Sequence, residues 1–391
     1  MRITHATRIL IVIISIFSLV GCQKEDIPPV STNERTIFMY LPWSTNLTEY
    51  FYNNISDMEK AISRRGLHNE RVIVFLSTSA SEAEMFEIVY ENGHCRRYML
   101  KEYTTPAFTT ETGLTAILND MKSYAPAANY AMIIGCHGMG WLPVEQSRGR
   151  AITDFVYHWE YTDVPQTRFF GGLTAEYQTD VTTLSQSLSN SGLKMDYILF
   201  DDCYMSSLEA AYDLRHVTDY LIACPTEIMV YGMPYSTMGE YLLAEKPDYA
   251  AICNAFYQFY SSYQYPYGTI AVTDCSQLDE LADLMKLIHS SYSLDNSQIT
   301  YIQRMDGYSP VIFYDFGDYV RTLCGNDSEL YGYFIALMEK VIPYKAHTER
   351  FYTASRGPIT VEQYSGITTS EPSSNSRTID YPQTSWYLAT H

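Results

Sequence analysis

Ala131-Met132-Ile133-Ile134-Gly135-Cys136-His137-Gly138-Met139-Gly140-Trp141 and Tyr197-Ile198-Leu199-Phe200-Asp201-Asp202-Cys203-Tyr204-Met205-Ser206-Ser207-Leu208-Glu209 share one construction. Each opens on a short apolar run without polar alternation, the pattern of a strand buried on both faces. Each run ends in reactive chemistry. His137 follows the first, with glycines that let the backbone approach a neighbour closely. Cys203 follows the second and stands ahead of a helix predicted over 206–214, whose dipole favours a thiolate. In open α/β sheets the working residues lie just past the carboxyl ends of strands. Singly, each residue has a plain reading, as a structural histidine and a small core hydrophobe. Together they supply a nucleophile and a proton for a leaving amine.

Outward from these stretches, strands alternate with helices. Residues 37–41, 71–76, 220–224 and 269–272 read as strands, and 84–90 with 96–100 as a hairpin turning at Asn92-Gly93. Helices are predicted over 54–63, from Thr110 with Leu114, Ile117, Leu118 and Met121 on one face, over 181–191, and over 276–290. The pattern predicts an α/β fold with a mainly parallel central sheet covered on both faces. The stretch 141–180 is loop-rich and holds Gly171-Gly172. Residues 365–378, rich in Ser and Thr, read as an irregular surface loop.

The 391 residues are 46% apolar and 18% charged, enough to bury a sizeable core. A net charge of −19 argues against nonspecific nucleic-acid binding, which needs Lys and Arg to displace counterions. Residues 1–21 read as a signal peptide. Arg2 and Arg8 are its basic start, and Ile9 to Val20 is an apolar run shorter than the roughly 20 residues that span a bilayer. Leu19-Val20-Gly21-Cys22 resembles the bacterial lipoprotein cleavage box, which implies that Cys22 carries the lipid (palmitate included) and becomes the mature N-terminus. Gln23-Lys24-Glu25-Asp26 resembles the acidic signal that sends Bacteroidetes-type lipoproteins to the outer face of the outer membrane. Residues 22–35, with Pro28 and Pro29, read as a tether, and 36–391 as the working domain.

Seven further cysteines, Cys95, Cys136, Cys203, Cys224, Cys253, Cys275 and Cys324, are too widely spaced for a disulfide scaffold or a zinc finger. Cys136, Cys224, Cys253 and Cys275 are expected in the core. Cys136, His137 and Cys203 lack a fourth ligand, so no metal site is read there.

The pair of stretches resembles the double signature of the caspase, legumain and gingipain clan of cysteine peptidases. His137-Gly138-Met139-Gly140-Trp141 is similar to the clostripain family's H-G-x-G-W, and Asp201 to Tyr212 to its D-x-C-x-M-x-S-x-E-x-A-Y. Tyr314-Asp315-Phe316-Gly317-Asp318-Tyr319 and the aromatic segment from Tyr381 to Trp386 are weaker likenesses. The resemblance implies a caspase-like α/β/α sandwich and a cysteine endopeptidase acting through a thioester. Cys203 is the implied nucleophile and His137 its partner. The N–H groups of Gly138 and Cys203 are the implied oxyanion hole. Asp201 is the implied acid of the S1 pocket, pairing with an Arg or Lys before the scissile bond. The plainer reading of Asp201 is a cap on the loop before Ser206. The family often has an acidic pair after the next strand. Here Ala223-Cys224-Pro225-Thr226-Glu227 offers only Glu227, with Tyr231 and Tyr235 placed to shape the pocket mouth. Some relatives use calcium, but no contiguous calcium loop is present. Some are cut between the two signatures, where this chain holds Arg148, Arg150 and Arg168. Peptides with basic residues and a membrane are thus the implied partners. The rival readings are a catalytically inactive surface binding module on the same fold, with tyrosines as its platform, and peptide ligation by the same thiol.

Overall fold

The computed structural model describes residues 33–144, 177–326 and 328–391. The signal segment, Cys22, most of the tether, Gly171-Gly172, Arg148, Arg150 and Arg168 lie outside the described residues.

Strand β1 (Asn33–Leu41) lies inside the sheet. It pairs in parallel with β2 (Glu70–Ser77) on one side and β5 (Ala127–Ile134) on the other. Strands β6 (Met195–Phe200) and β7 (Thr218–Ala223) extend the parallel run beyond β5. The hairpin β3 (Glu82–Glu91) and β4 (His94–Thr104) closes one edge antiparallel, turning at Asn92-Gly93 with both residues at positive φ. Strands β8 (Thr269–Asp274) and β10 (Tyr344–His347) close the other, giving a nine-stranded sheet among the described residues. The outermost β4 carries Arg96, Arg97 and Lys101, charges that discourage another chain from adding to that edge.

Helix α1 (Thr48–Arg65) links β1 to β2, and α2 (Glu111–Tyr124) leads into β5. The chain leaves β1 in one direction and returns to its other side, so right-handed crossovers place these helices on opposite faces. Helix α3 (Val181–Asn190) packs on α2, and α4 (Leu208–Leu214) on α3. Helices α5 (Tyr235–Leu242) and α6 (Tyr249–Ser262) gather instead with α1. Helix α7 (Leu278–Ser291) buries Leu278, Leu281, Met285 and Ile288, while Leu284 of the same apolar face is half-buried. After it come β9 (Tyr314–Asp315), α8 (Phe316–Cys324), α9 (Glu329–Val341), β11 (Arg350–Thr353), β12 (Gly357–Thr360), β13 (Thr368–Thr369) and α10 (Ser385–Thr390). Helices on both faces of a sheet with five parallel central strands are the expected α/β/α architecture.

Among the elements that differ from expectation, helix α1 runs Thr48–Arg65 where the sequence predicts 54–63. The helix predicted from Ser206 begins at Leu208, because the Ser207 side chain accepts the Ala210 N–H and caps it. Such a cap contributes about 1 kcal/mol. Residues 365–378 are not a plain surface loop. Thr368, Thr369 and Ser370 are buried, and β13 pairs with β9. Composition misleads there, since these hydroxyl residues bond inward: the Thr368 N–H and hydroxyl both donate to the Ser206 carbonyl.

Candidate active site

Register sets the level of the site. Tyr40 of β1 lies opposite Ile134 of β5, which lies opposite Phe200 of β6. His137 and Cys203 each follow that row by three residues. Pairing persists to its edge, where the Gly135 N–H donates to Tyr40 O at 3.1 Å and the Asp201 N–H to Ile134 O at 2.8 Å. The order in which the chain lays down its strands reverses between β1 and β5, which run parallel, so these carboxyl ends lie at the topological switch point.

The two loops touch through glycine. A Cβ on Gly138 would lie 2.3 Å from the Cys203 carbonyl oxygen, so only glycine allows the histidine loop this close to the cysteine loop. Gly140, at φ +60°, is wedged between Phe313 and the Tyr204 carbonyl. Tyr204 itself sits at φ +62°, a left-handed backbone that costs a non-glycine residue about 1–2 kcal/mol. Three contacts hold it there. Its N–H donates to Thr226 O, its hydroxyl donates to Glu227 Oε1 at 2.8 Å, and its ring stacks on Phe313.

Successive side chains point apart. Asp201 accepts the Met233 N–H at 2.8 Å and the Tyr235 hydroxyl at 3.0 Å. Cys203 Sγ faces the same segment, with the Ile228 N–H at 3.4 Å. Asp202 turns the other way and accepts the Cys136 N–H at 2.6 Å and its thiol at 3.3 Å. The loop that Asp201 ties down is therefore 233–235, not the approach to Ser206. Tyr235 reaches Asp201 from within the core, whereas Tyr231 donates to Asp57. Glu227 is buried and accepts the Ala354 N–H as well as the Tyr204 hydroxyl.

Two cysteine expectations are corrected. Cys136 is half-buried and bonded to Asp202, while Cys224, Cys253 and Cys275 are buried as expected. Cys203 does not sit in a thiolate-favouring helix terminus. It lies five residues before α4 and is buried. Burial pushes its thiol well above the ordinary range, Glu227 adds to the rise, and the Ile228 N–H opposes it.

Sequence reasoning missed Asn46. It lies in the loop after β1, and its Oδ1 is 2.9 Å from His137 Nε2. An amide oxygen only accepts, so Nε2 carries the proton and Nδ1 is the basic nitrogen. Beyond His137, an apolar cavity is lined by Tyr40, Leu114, Met139, Leu142 and Leu184, with Cys136 and Asp202 at one wall.

Thr369 and Ser370 were missed too, and they join the two signatures. Trp141 Nε1–H donates to Ser370 Oγ at 2.9 Å, and the Ser370 N–H and Thr369 hydroxyl both donate to Glu209 Oε1. Glu209 Oε2 is buried with no hydrogen-bond partner among the described residues. Burial pushes the Glu209 carboxyl from 4.5 up to about 7. The folded state thus holds a proton that the unfolded chain releases, so stability falls as pH rises from 4.5 to 7 and levels off above. The expected loss is roughly 3 kcal/mol. Thermal melts across this range should show it in the wild type and not in Glu209→Gln. Parallel curves would mean that Glu209 ionises normally.

The clostripain-family model matches residues 39–366 of this chain. The chain belongs to the clostripain family. It is a cysteine protease of that family, and solved relatives agree. A secreted C11 cysteine protease from Bacteroides thetaiotaomicron, "iotapain", is 53% identical, with 92% of this chain and 99% of that chain covered at a TM-score of 0.85. A clostripain from the same species, in complex with the peptide inhibitor BTN-VLTK-AOMK, is 54% identical over 57% of this chain and 99% of its own, with a TM-score of 0.55. An inactive zymogen C11 protease from Parabacteroides distasonis is 26% identical, covering 92% and 99%, with a TM-score of 0.75. Comparison with curated proteins returned no significant match.

Proposed function

We propose that this protease is an endopeptidase cleaving after Arg or Lys, with Cys203 as nucleophile and His137 as its proton carrier. The carrying observation is that Asp201, a buried carboxylate, and Cys203 face the same segment at one strand end. Desolvated guanidinium or ammonium groups need an acidic partner. The inhibitor bound by the 54%-identical clostripain has a peptide part ending in lysine, which supports the same preference here.

In this reading His137 Nδ1 accepts the thiol proton as Cys203 Sγ attacks the carbonyl carbon. The N–H groups of Gly138 and Cys203 take the developing oxyanion. The C–N bond then breaks, His137 hands its proton to the leaving amine, and water releases the acid from the thioester. A lysyl or arginyl acyloxymethyl ketone should label Cys203, and a P1-scanning fluorogenic library should peak at Arg and Lys. Labelling without a basic optimum removes the specificity claim, and no labelling removes the catalytic one in favour of a binding module.

Residues 1–21 are proposed as a lipoprotein signal, Cys22 as the lipidated residue, and the protein as held at the outer membrane by that anchor. Among the described residues no helix is long and apolar enough to cross a membrane. Cys22→Ser is expected to abolish labelled-palmitate incorporation and shift the protease from membrane to soluble fractions. Unlabelled wild-type protein would rule the anchor out.

A further inference from the structure

Three metal-ligating side chains from distant parts of the chain converge away from the proposed dyad. They are His289 on α7, Glu371 just after β13, and His391 at the end of α10, with ligating atoms within 4.8 Å of one another. The far atom of each is already engaged. His289 Nδ1 lies 3.1 Å from Thr390 O. His391 Nδ1 lies 3.3 Å from Tyr387 O and 3.2 Å from the Thr390 hydroxyl, which itself donates to Trp386 O. Glu371 Oε2 accepts the Tyr381 hydroxyl at 2.7 Å. A carbonyl oxygen only accepts, so each imidazole carries its proton on Nδ1 and its lone pair on Nε2. Holding the outer nitrogen this way is how proteins orient metal-binding histidines.

The inner atoms are all acceptors, but the His289 and His391 rings stack at 4.3 Å, so their lone pairs lie in neighbouring planes. His391 Nε2 and Glu371 Oε1 are 3.3 Å apart, two lone pairs opposed across a gap that calls for a cation or a further proton. His289 Nε2 has the Tyr319 hydroxyl at 3.3 Å, the long end of a hydrogen bond. Two imidazoles and one carboxylate are the donor set of zinc, whereas calcium and magnesium take oxygen almost alone. Tetrahedral ligation at bond lengths near 2.1 Å needs ligand atoms about 3.4 Å apart. The His391 ring, exposed at a helix end and stacked on Tyr387 at 4.0 Å, is the one that must turn off these stacks for its lone pair to meet an ion held by His289 and Glu371.

We propose that His289, Glu371 and His391 bind Zn²⁺, with water at the fourth position, as a staple between α7, α10 and the segment after β13. The staple has a definite load. The Glu371 N–H donates to the Thr369 hydroxyl, and Thr369 and Ser370 hold Glu209 behind the cysteine loop. Zinc here would steady the supports of the site without touching the reacting atoms.

The test uses the full chain without a histidine tag, titrated with Co²⁺ as a spectroscopic probe and with Zn²⁺ in calorimetry and thermal melts. One equivalent of Co²⁺ should bind with visible nitrogen/oxygen-type bands and no thiolate charge-transfer band. Zn²⁺ at a hundredfold excess over its Kd should raise Tm by roughly 5 °C. His391→Ala, at an exposed position, should lose both the bound equivalent and the Tm shift, and Glu371→Gln should weaken both should His289→Ala fail to fold. Three outcomes overturn the proposal: no stoichiometric ion, a thiolate band that places the ion on cysteines, or binding that survives His391→Ala. The first means that the His391–Glu371 gap is bridged by a proton alone.

Discussion

Cys203→Ala is expected to abolish peptide hydrolysis, a loss of roughly 10⁴-fold or more, the scale on which acyl-transfer enzymes lose their nucleophile. The fold should survive. Cys203 is fully buried, so the change removes one sulfur from a packed wall and one weak acceptor from the Ile228 N–H. That costs about 1 kcal/mol, small beside the stability of a domain this size. The Tyr204 turn should persist, because its anchors are Thr226 O, Glu227 and Phe313. Cys136→Ala is the matched control. Its thiol donates to Asp202, and the backbone Cys136 N–H bond to Asp202 remains after the change, so most activity should be kept. The same pair reads out processing. If Arg148, Arg150 or Arg168 is a processing site and not a solvated loop charge, wild type should split on incubation and Cys203→Ala should stay whole. An active Cys203→Ala with a dead Cys136→Ala would exchange the two assignments, and equal splitting of both would point to another protease.

What was legible in the sequence was whatever rests on local pattern. Continuous apolar runs marked the buried strands, and Asn92-Gly93 marked the hairpin. What was hidden depends on partners far along the chain. Asn46 is 91 residues from His137, and nothing in Ser44-Thr45-Asn46 distinguishes it from an ordinary turn. Ser370 is 229 residues from Trp141, and its Ser/Thr-rich surroundings look solvated until the buried Glu209 supplies their acceptor. The thiol pKa was misjudged for a related reason. A helix N-terminus can be read locally, but the burial that outweighs it is built by the 226–230 segment and the loop around Ala354 that holds Glu227. His289, Glu371 and His391 show no metal spacing at all, because α7 and α10 meet only in the folded chain.

Asp201→Asn is expected to lower kcat/KM on Arg and Lys substrates by about 10²-fold or more while sparing neutral P1 peptides. Removing one side of a buried ion pair costs roughly 3–5 kcal/mol, because the remaining charge stays desolvated. The structure also gives Asp201 a structural duty, since it holds the Met233 N–H and the Tyr235 hydroxyl. Asparagine is the substitution that separates the two duties. Its oxygen still accepts from Met233, and its amide donates to the Tyr235 hydroxyl, which rotates to accept. The 233–235 turn therefore persists and only the charge is lost. Tyr235→Phe makes the opposite cut, keeping the carboxylate and deleting one of its supports, and should reduce basic and neutral substrates alike. Asp202→Asn should cost less than about tenfold, since that side chain faces Cys136 on the other side of the strand end. Matched peptides differing only at P1, measured on all three variants, decide the matter. An Asp201→Asn protease that loses basic and neutral substrates equally would mean that Asp201 holds the turn and leaves the choice of P1 to other groups.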